Sequence, residues 1–338
     1  MNLELKPLAD QVVVITGASS GIGLVTAKMA AARGARVVLA ARNDADLARA
    51  VQQIREGGGR AIHVAADVSD PNDVERIAEA AIREFGRIDT WVNNAGVALY
   101  GRIMELSTAD MRRQFEVNYW GQVHGSRAAV PHLRRQGGAL INVASALADR
   151  AIPLQGNYCA SKHALKAFTD ALRMELEEEG APVSVTLVKP GSIDTPLFDK
   201  AKTLLGVEPQ PVPPVYAPEL AAEAILECAE RPVRDVVVSG MGKVLSVAGM
   251  IAPRLTDRYM ERMTFSSQTT DRPLSHGRRD NLHAPVEHDG GERGTNWSGP
   301  VRRRSVYTAA ALHPGLTAGI AATLVAAAVA AVAVRNRN

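Results

Sequence analysis

Four β-branched residues, Val12-Val13-Val14-Ile15, run straight into Thr16-Gly17-Ala18-Ser19-Ser20-Gly21-Ile22-Gly23, and a helical pattern continues to Arg33. Glycines in a strand-to-helix turn permit backbone conformations that side chains resist and let a ligand approach the main chain closely. A helix that begins there aims its unpaired N–H groups and the positive end of its dipole at the space before the turn, which suits a phosphate. Alone, such a turn is common. Between the first strand and first helix of an α/β pattern, it specifies a dinucleotide crevice.

The rest of the chain supplies that pattern. Apolar runs at Val37–Ala40, Ala61–Ala65, Asp89–Val92, Ala139–Val143, Val183–Val188 and Asp235–Val238 read as further strands. They lack polar alternation, as strands covered on both faces do. Between them, Asp44–Glu56, Pro71–Phe85, Ser107–Arg135, Tyr158–Glu179 and Pro218–Glu230 have helical period, several with N-terminal start signals. The expected fold is a doubly wound α/β domain of the Rossmann type, with about seven parallel strands and helices on both faces. The length of 338 residues allows one large core plus an appendage. A formal charge of +3 is too small to argue for a nucleic-acid partner. The two cysteines, Cys159 and Cys228, show no metal-ligand spacing and no disulfide framework, so no metal site is expected and a reducing compartment fits. Met1–Asp10 lacks the pattern of a secretory signal, which leaves the catalytic part in the cytoplasm.

Past Val238 the composition shifts. Lys243–Met263 reads as one or two amphipathic helices interrupted near Pro253, and completes a domain over 1–265. Residues 266–308 are rich in Arg, Asp, Gly, Pro, Ser and His and read as a disordered polar linker. Residues 309–338 form an apolar, Ala-rich C-terminal segment, and Gly315–Val334 within it holds twenty residues without an ionisable side chain. As a helix this stretch would span roughly 30 Å, about a bilayer core. Its Leu, Ile and Val residues favour insertion by only about 0.3–0.6 kcal/mol each. The segment reads as a membrane anchor that keeps the enzyme domain cytoplasmic; the alternative is a helix packed on the domain or on a partner.

The end of the second strand bears on the cofactor. A carboxylate there would accept hydrogen bonds from the adenosine ribose and repel a 2′-phosphate. This chain has Ala40-Ala41-Arg42 instead. A guanidinium suits a phosphate, so NADP(H) is expected in preference to NAD.

Tyr158-Cys159-Ala160-Ser161-Lys162 sets a phenol and an amine four residues apart on one helix face. A free phenol titrates near pH ~10, and lowering it by about three units takes roughly 4 kcal/mol of stabilisation from a nearby cation. Ser145 follows a strand ending at Val143 and precedes the tyrosine by thirteen positions, where its hydroxyl can orient a substrate oxygen.

These pieces resemble the short-chain dehydrogenase/reductase family in its single-domain branch. The matching motifs are T-G-A-S-S-G-I-G at 16–23, Asp67 in A-A-D-V, N-N-A-G at 93–96, Asn118 in V-N-Y, Ser145, Y-C-A-S-K at 158–162 and P-G-S-I-D-T at 190–195. They stand in the family's order over roughly residues 10–240. The resemblance implies Asn118, Ser145, Tyr158 and Lys162 as the catalytic set, with Asn118 holding a water that links Lys162 to solvent. It implies that Gly17, Ser19, Ser20, Gly21, Ile22 and Gly23 hold the pyrophosphate end, with Arg42 at the adenosine phosphate. Asp67 and Val68 would lie at the adenine, and Asn94, Ala95 and Gly96 near the adenosine ribose. Asn93 is expected to be structural. Lys162 and Tyr158 would meet the nicotinamide ribose, and Pro190, Gly191, Ile193 and Thr195 would hold the carboxamide. The implied reaction is hydride transfer between the nicotinamide and a carbonyl or secondary alcohol, with Tyr158 as acid or base.

Substrate choice in the family resides largely in the loop after Pro190-Gly191. Here it carries Leu197, Phe198, Leu204, Leu205 and Val207, then the proline-rich stretch Pro209–Pro218, an apolar lid that fits a lipophilic substrate. Family members commonly pair the two long helices across a two-fold axis, so a homo-oligomer is expected, unless the C-terminal addition blocks that surface. The alternatives are a catalytically idle NADPH-binding regulator or scaffold, against which the intact Ser–Tyr–Lys–Asn set speaks, and an epimerase or dehydratase, which would need a larger substrate domain.

Overall fold

The computed structural model of the chain describes residues 3–313. Its central sheet has seven strands, β1 (Val12–Thr16), β2 (Arg36–Ala41), β3 (Arg60–Ala65), β4 (Thr90–Asn93), β5 (Gly138–Val143), β6 (Val183–Pro190) and β7 (Asp235–Val238). Across the sheet they run β7-β6-β5-β4-β1-β2-β3, all parallel. The chain steps outwards from β1 in one direction, then returns and steps outwards in the other. The reversal opens a crevice beyond the carboxyl ends of β1 and β4, where ligands of such sheets bind.

Residues alternate between the two faces of each strand, and both faces are covered. Val13 and Ile15 pack with α1 (Gly21–Ala32), α2 (Asp44–Glu56) and α7 (Pro218–Glu230). Val14 faces the opposite layer of α3 (Pro71–Phe85), α5 (Gly121–Gln136) and α6 (Gly156–Glu178). All four apolar residues of β1 are fully buried, each worth roughly 1.5–3 kcal/mol against exposure. Capping marks where helices begin and end: the Asp70 carboxylate accepts the Asn72 N–H, Pro71 occupies the first turn, and Gly86 in the left-handed region closes α3.

The expected helix over Ser107–Arg135 is two helices, α4 (Thr108–Phe115) and α5, joined by a wider π turn at Glu116–Trp120. After β7, the chain forms α8 (Gly240–Ile251) and α9 (Pro253–Ser267), divided at Pro253 as the sequence indicates.

Residues 266–308 correct the sequence reading. They are not a disordered linker: they lie packed along the domain. Thr269–Pro273 pairs antiparallel with Val207–Pro209, and Val301–Arg302 pairs with Val215–Tyr216. Between these, Arg278 is bound to Glu208 and Arg293 to Glu219 and Asp194. Leu282 is fully buried in the main core. Composition misled because the segment has few apolar residues of its own; its order comes from polar anchoring to an existing surface. A short α10 (Val306–Leu312) follows. The expected anchor lies in 314–338, outside the described residues. No helix among the described residues is long and apolar enough to cross a membrane.

Candidate active site

At the end of β1 the main chain turns at Gly17, with φ of 65°. A Cβ at Gly17 would lie 2.7 Å from the Ala95 Cα, and one at Gly23 would lie 2.3 Å from the Gly17 carbonyl oxygen. Backbone therefore packs on backbone, and a side chain at either position would force the turn open. Asn94 clamps the turn from β4: its side-chain amide donates to the carbonyls of Thr16 (3.0 Å) and Gly17 (3.2 Å). The Thr16 hydroxyl accepts in return from the N–H groups of Asn94 and Ala95. Gly17, Ser19, Ser20, Gly21 and Ile22 line one long cavity, together with Asn94, Ala95 and Gly96. Gly23 does not line it; it packs behind the turn.

Arg42, at the end of β2, lies at one end of this cavity with Asp67 and Val68. One guanidinium nitrogen, Nη2, donates to the Asn281 carbonyl. The other, Nη1, is buried without a partner. Asp67 is less free than its motif implies. Its carboxylate accepts from the Ser69 N–H (3.0 Å) and hydroxyl (2.8 Å) and is paired with Arg113. Burial would raise its pKa, but the hydrogen bonds from Ser69 and Arg113 outweigh burial and hold it below the usual carboxylate range.

At the other end, Ser145 follows β5 and caps a short turn, accepting the Leu147 N–H at 3.1 Å. Tyr158 and Lys162 come from the first turns of α6. All three are buried, and the Ser145 hydroxyl is hydrogen-bonded to the Tyr158 phenol. The Lys162 amine donates to the Val143 carbonyl (3.0 Å), which fixes it behind the tyrosine. Burial raises the phenol's pKa, partly countered by the Ser145 hydrogen bond. Burial also pushes the Lys162 amine down to about 7. Asn118 stands in the π turn, behind Gly96 rather than at the cavity wall. Its side chain accepts from the Val97 N–H (2.8 Å) and donates to the Val97 carbonyl (3.0 Å). Asn93 braces the interior, bonded to Trp91 and Asn142.

Pro190, Gly191, Ile193 and Thr195 leave β6 along the same cavity, and Ile193 bridges to Tyr216. The cavity has a volume of about 420 Å³ and runs from Arg42 past Tyr158 to an apolar wall. Leu197 and Phe198 line it, as the lid expectation holds, but Leu204 is exposed and Leu205 packs beside Tyr100. Most of the apolar wall comes from elsewhere: Met241 and Leu245 of α8, and Tyr259, Met260 and Met263 of α9. Their helical period was visible in the sequence; that it faces the site was not.

Three further charged or polar partners carry no motif. Arg113 holds Asp67. Lys200 donates to the Ser20 hydroxyl (2.9 Å) and to Asp289 (3.0 Å) at the start of α1. Asn281, Pro285 and Asp289 of the C-terminal segment line the cavity beside Arg42.

Comparison with known proteins agrees with this architecture. Residues 11–204 match the model of the family described as short chain dehydrogenase. The oxidoreductase YxnA of Bacillus subtilis is 49% identical over 331 residues, 96% of this chain and 91% of that protein. The 11-beta-hydroxysteroid dehydrogenase A of Sesamum indicum is 32% identical over 273 residues, 78% of each chain. Among solved structures, an alcohol dehydrogenase from the archaeon Thermococcus sibiricus, complexed with 5-hydroxy-NADP, aligns with a TM-score of 0.60 at 28% identity, covering 67% of this chain and 95% of that one. A sheet that reverses beside a clamped glycine turn is thus joined to sequence kinship along most of the chain, and the chain belongs to the short-chain dehydrogenase family of oxidoreductases.

Proposed function

We propose that this enzyme is an NADP(H)-dependent oxidoreductase that interconverts a carbonyl and a secondary alcohol on a largely apolar substrate. The observation that carries the reading is the single cavity: it joins the glycine turn and Arg42 to the buried Ser145–Tyr158–Lys162 group and then to a methionine-rich wall. The residues fit the cofactor. Glycines leave backbone room at the turn, and a buried guanidinium nitrogen without a partner is suited to an adenosine 2′-phosphate. No carboxylate ends β2, and the Thermococcus sibiricus relative was solved with an NADP derivative.

When bound, the nicotinamide donates or accepts the hydride. Tyr158 supplies the proton to the developing alkoxide in reduction, or removes it in oxidation. The Ser145 hydroxyl, already bonded to the phenol, holds the reacting oxygen beside it. Lys162, fixed on the Val143 carbonyl, places a titratable cation next to the phenol and eases proton release from it. Asn118 holds the Val97 backbone behind Gly96 and so keeps the floor of the site in place. Met260 and Met263 adapt to irregular apolar ligands.

The test is a matrix of NADPH or NADH against ketones from steroid-like and long-chain to small and polar. Turnover is expected with NADPH and the lipophilic ketones. A preference for NADH, or activity confined to small polar carbonyls, contradicts the reading.

A further inference from the structure

The C-terminal segment crosses the cofactor end of the cavity. Asn281 accepts from Arg42 through its main-chain carbonyl and donates its N–H to the Lys200 carbonyl (3.0 Å). The Asn43 side chain donates to the carbonyls of Val286 (2.9 Å) and Glu287 (3.2 Å). Asp289 takes Lys200 at 3.0 Å, and its own N–H donates to the Asp46 carboxylate at 2.6 Å. The Gly291 carbonyl accepts the Gly21 N–H at 2.8 Å, at the first residue of α1. The segment is thereby tied to the β2–α2 turn, to the glycine turn and to the loop after β6.

It forms a wall rather than a plug, because Asn281, Pro285 and Asp289 line the same continuous cavity as Arg42, Asp67 and Val68. Two buried side-chain atoms at this end lack partners: Arg42 Nη1, a donor, and Asn281 Oδ1, an acceptor. Asn281 is 8% exposed and Asp289 is 7% exposed. Leaving such groups unpaired in a protein interior is costly, and native proteins seldom do so unless something else completes them. A phosphate accepts from a guanidinium, while a ribose hydroxyl or an adenine amine donates to an amide oxygen. One molecule carries both: an adenosine with a 2′-phosphate. Burial also lowers the pKa of Arg42 and of Lys200, as expected of cations that an incoming anion would relieve.

We infer that residues 278–293 form a roof over the adenosine end of the dinucleotide site, and that Asn281 is a cofactor-binding residue. Its side-chain oxygen accepts a hydrogen bond from the adenosine while Arg42 Nη1 donates to the 2′-phosphate. The inference rests on the NADP(H) reading above and adds to it a residue outside the part of the chain that matches the family model. The roof must also loosen for the cofactor to exchange. Asp289 acts as its latch, through Lys200 on one side and Asp46 on the other.

The test uses the full chain and measures binding rather than turnover. Affinities for NADPH, NADH and 2′,5′-ADP are measured by fluorescence and calorimetry, and NADPH release by a stopped-flow chase. Asn281→Ala is expected to weaken NADPH and 2′,5′-ADP roughly tenfold, as for one lost hydrogen bond. Its main-chain contacts remain, so the melting temperature should hold. Asp289→Asn is expected to speed NADPH release severalfold. Hydrogen exchange of the unmutated protein gives a readout that needs no variant: amides of 278–293 should slow when NADPH or 2′,5′-ADP is added. Unchanged affinity in Asn281→Ala, or unchanged exchange across 278–293, overturns the roof. If the wild type binds NADH as tightly as NADPH, the NADP(H) reading fails instead, and the two failures are distinct.

Discussion

The amine of Lys162 lies 5.7 Å from the centre of the Tyr158 ring, and both side chains are buried. Each is burdened by burial in its charged form, the lysine downward to about 7 and the tyrosine upward. Neither charge is comfortable alone; together, an ammonium beside a phenolate is less costly than either one isolated.

The lysine has a consequence for stability. Its pKa is about 7 in the folded protein against an ordinary 10.5, so between those values the unfolded chain binds a proton that the native state lacks. Stability from this group therefore rises with pH across that window and is lost as pH falls toward 7. Lys162→Met removes the linkage. Urea unfolding from pH 7 to 10 should show the wild type gaining on the order of a few kcal/mol relative to Lys162→Met. A constant difference across that range would mean that the amine stays charged when folded.

Arg42 is expected to decide between the two nicotinamide dinucleotides. A charge-assisted hydrogen bond contributes roughly 1.5–3 kcal/mol, so Arg42→Ala should raise KM for NADPH about ten- to a hundredfold. KM for NADH should move little, because NADH has no 2′-phosphate. Steady-state kinetics with both cofactors measure this directly, and equal losses for the two would assign Arg42 to the fold instead.

Much of this arrangement was legible in the sequence, and the rest was hidden for identifiable reasons. Strands such as Val12–Thr16 and Asp235–Val238 declare themselves because a fully covered strand must be apolar throughout. Pro71–Phe85 was bounded correctly because Asp70, Pro71 and Gly86 are local signals. Ser145, Tyr158 and Lys162 stood out because their chemistry requires those residue types. Arg113, Lys200 and Asn281 did not, since each acts through a partner remote in the chain: Asp67, Ser20 and Arg42. The order of residues 266–308 was invisible for the same reason. A polar segment folds against another surface by contacts that composition does not contain.

Gly23 makes the demand of the glycine turn testable. A methyl group there would meet the Gly17 carbonyl oxygen at 2.3 Å, a backbone atom with little room to yield. Gly23→Ala is expected to weaken NADPH binding by at least an order of magnitude and to lower the melting temperature. Moving a turn fixed by Asn94 strains its hydrogen bonds as well. Fluorescence titration and thermal unfolding read the two effects; a variant with wild-type affinity would show that the turn has slack.

The apolar wall yields a prediction about substrate. Met263 lines the cavity from α9 and is partly exposed, so a charge there need not unfold the helix. Met263→Glu should raise KM for a steroid-like or long-chain ketone about tenfold, in line with the loss of one apolar side-chain contact, and leave small carbonyls almost unaffected. Parallel kinetics on a large and a small ketone check this. If both respond alike, α9 does not contact substrate.

The most direct test of the account is Tyr158→Phe, measured for both chemistry and binding. Removing the phenolic hydroxyl should lower single-turnover NADPH oxidation by about 10²–10⁴-fold, the usual worth of a positioned acid, while the Kd for NADPH stays within about twofold. A variant that oxidises NADPH at the wild-type rate with the same ketone would contradict the assignment of proton transfer to Tyr158.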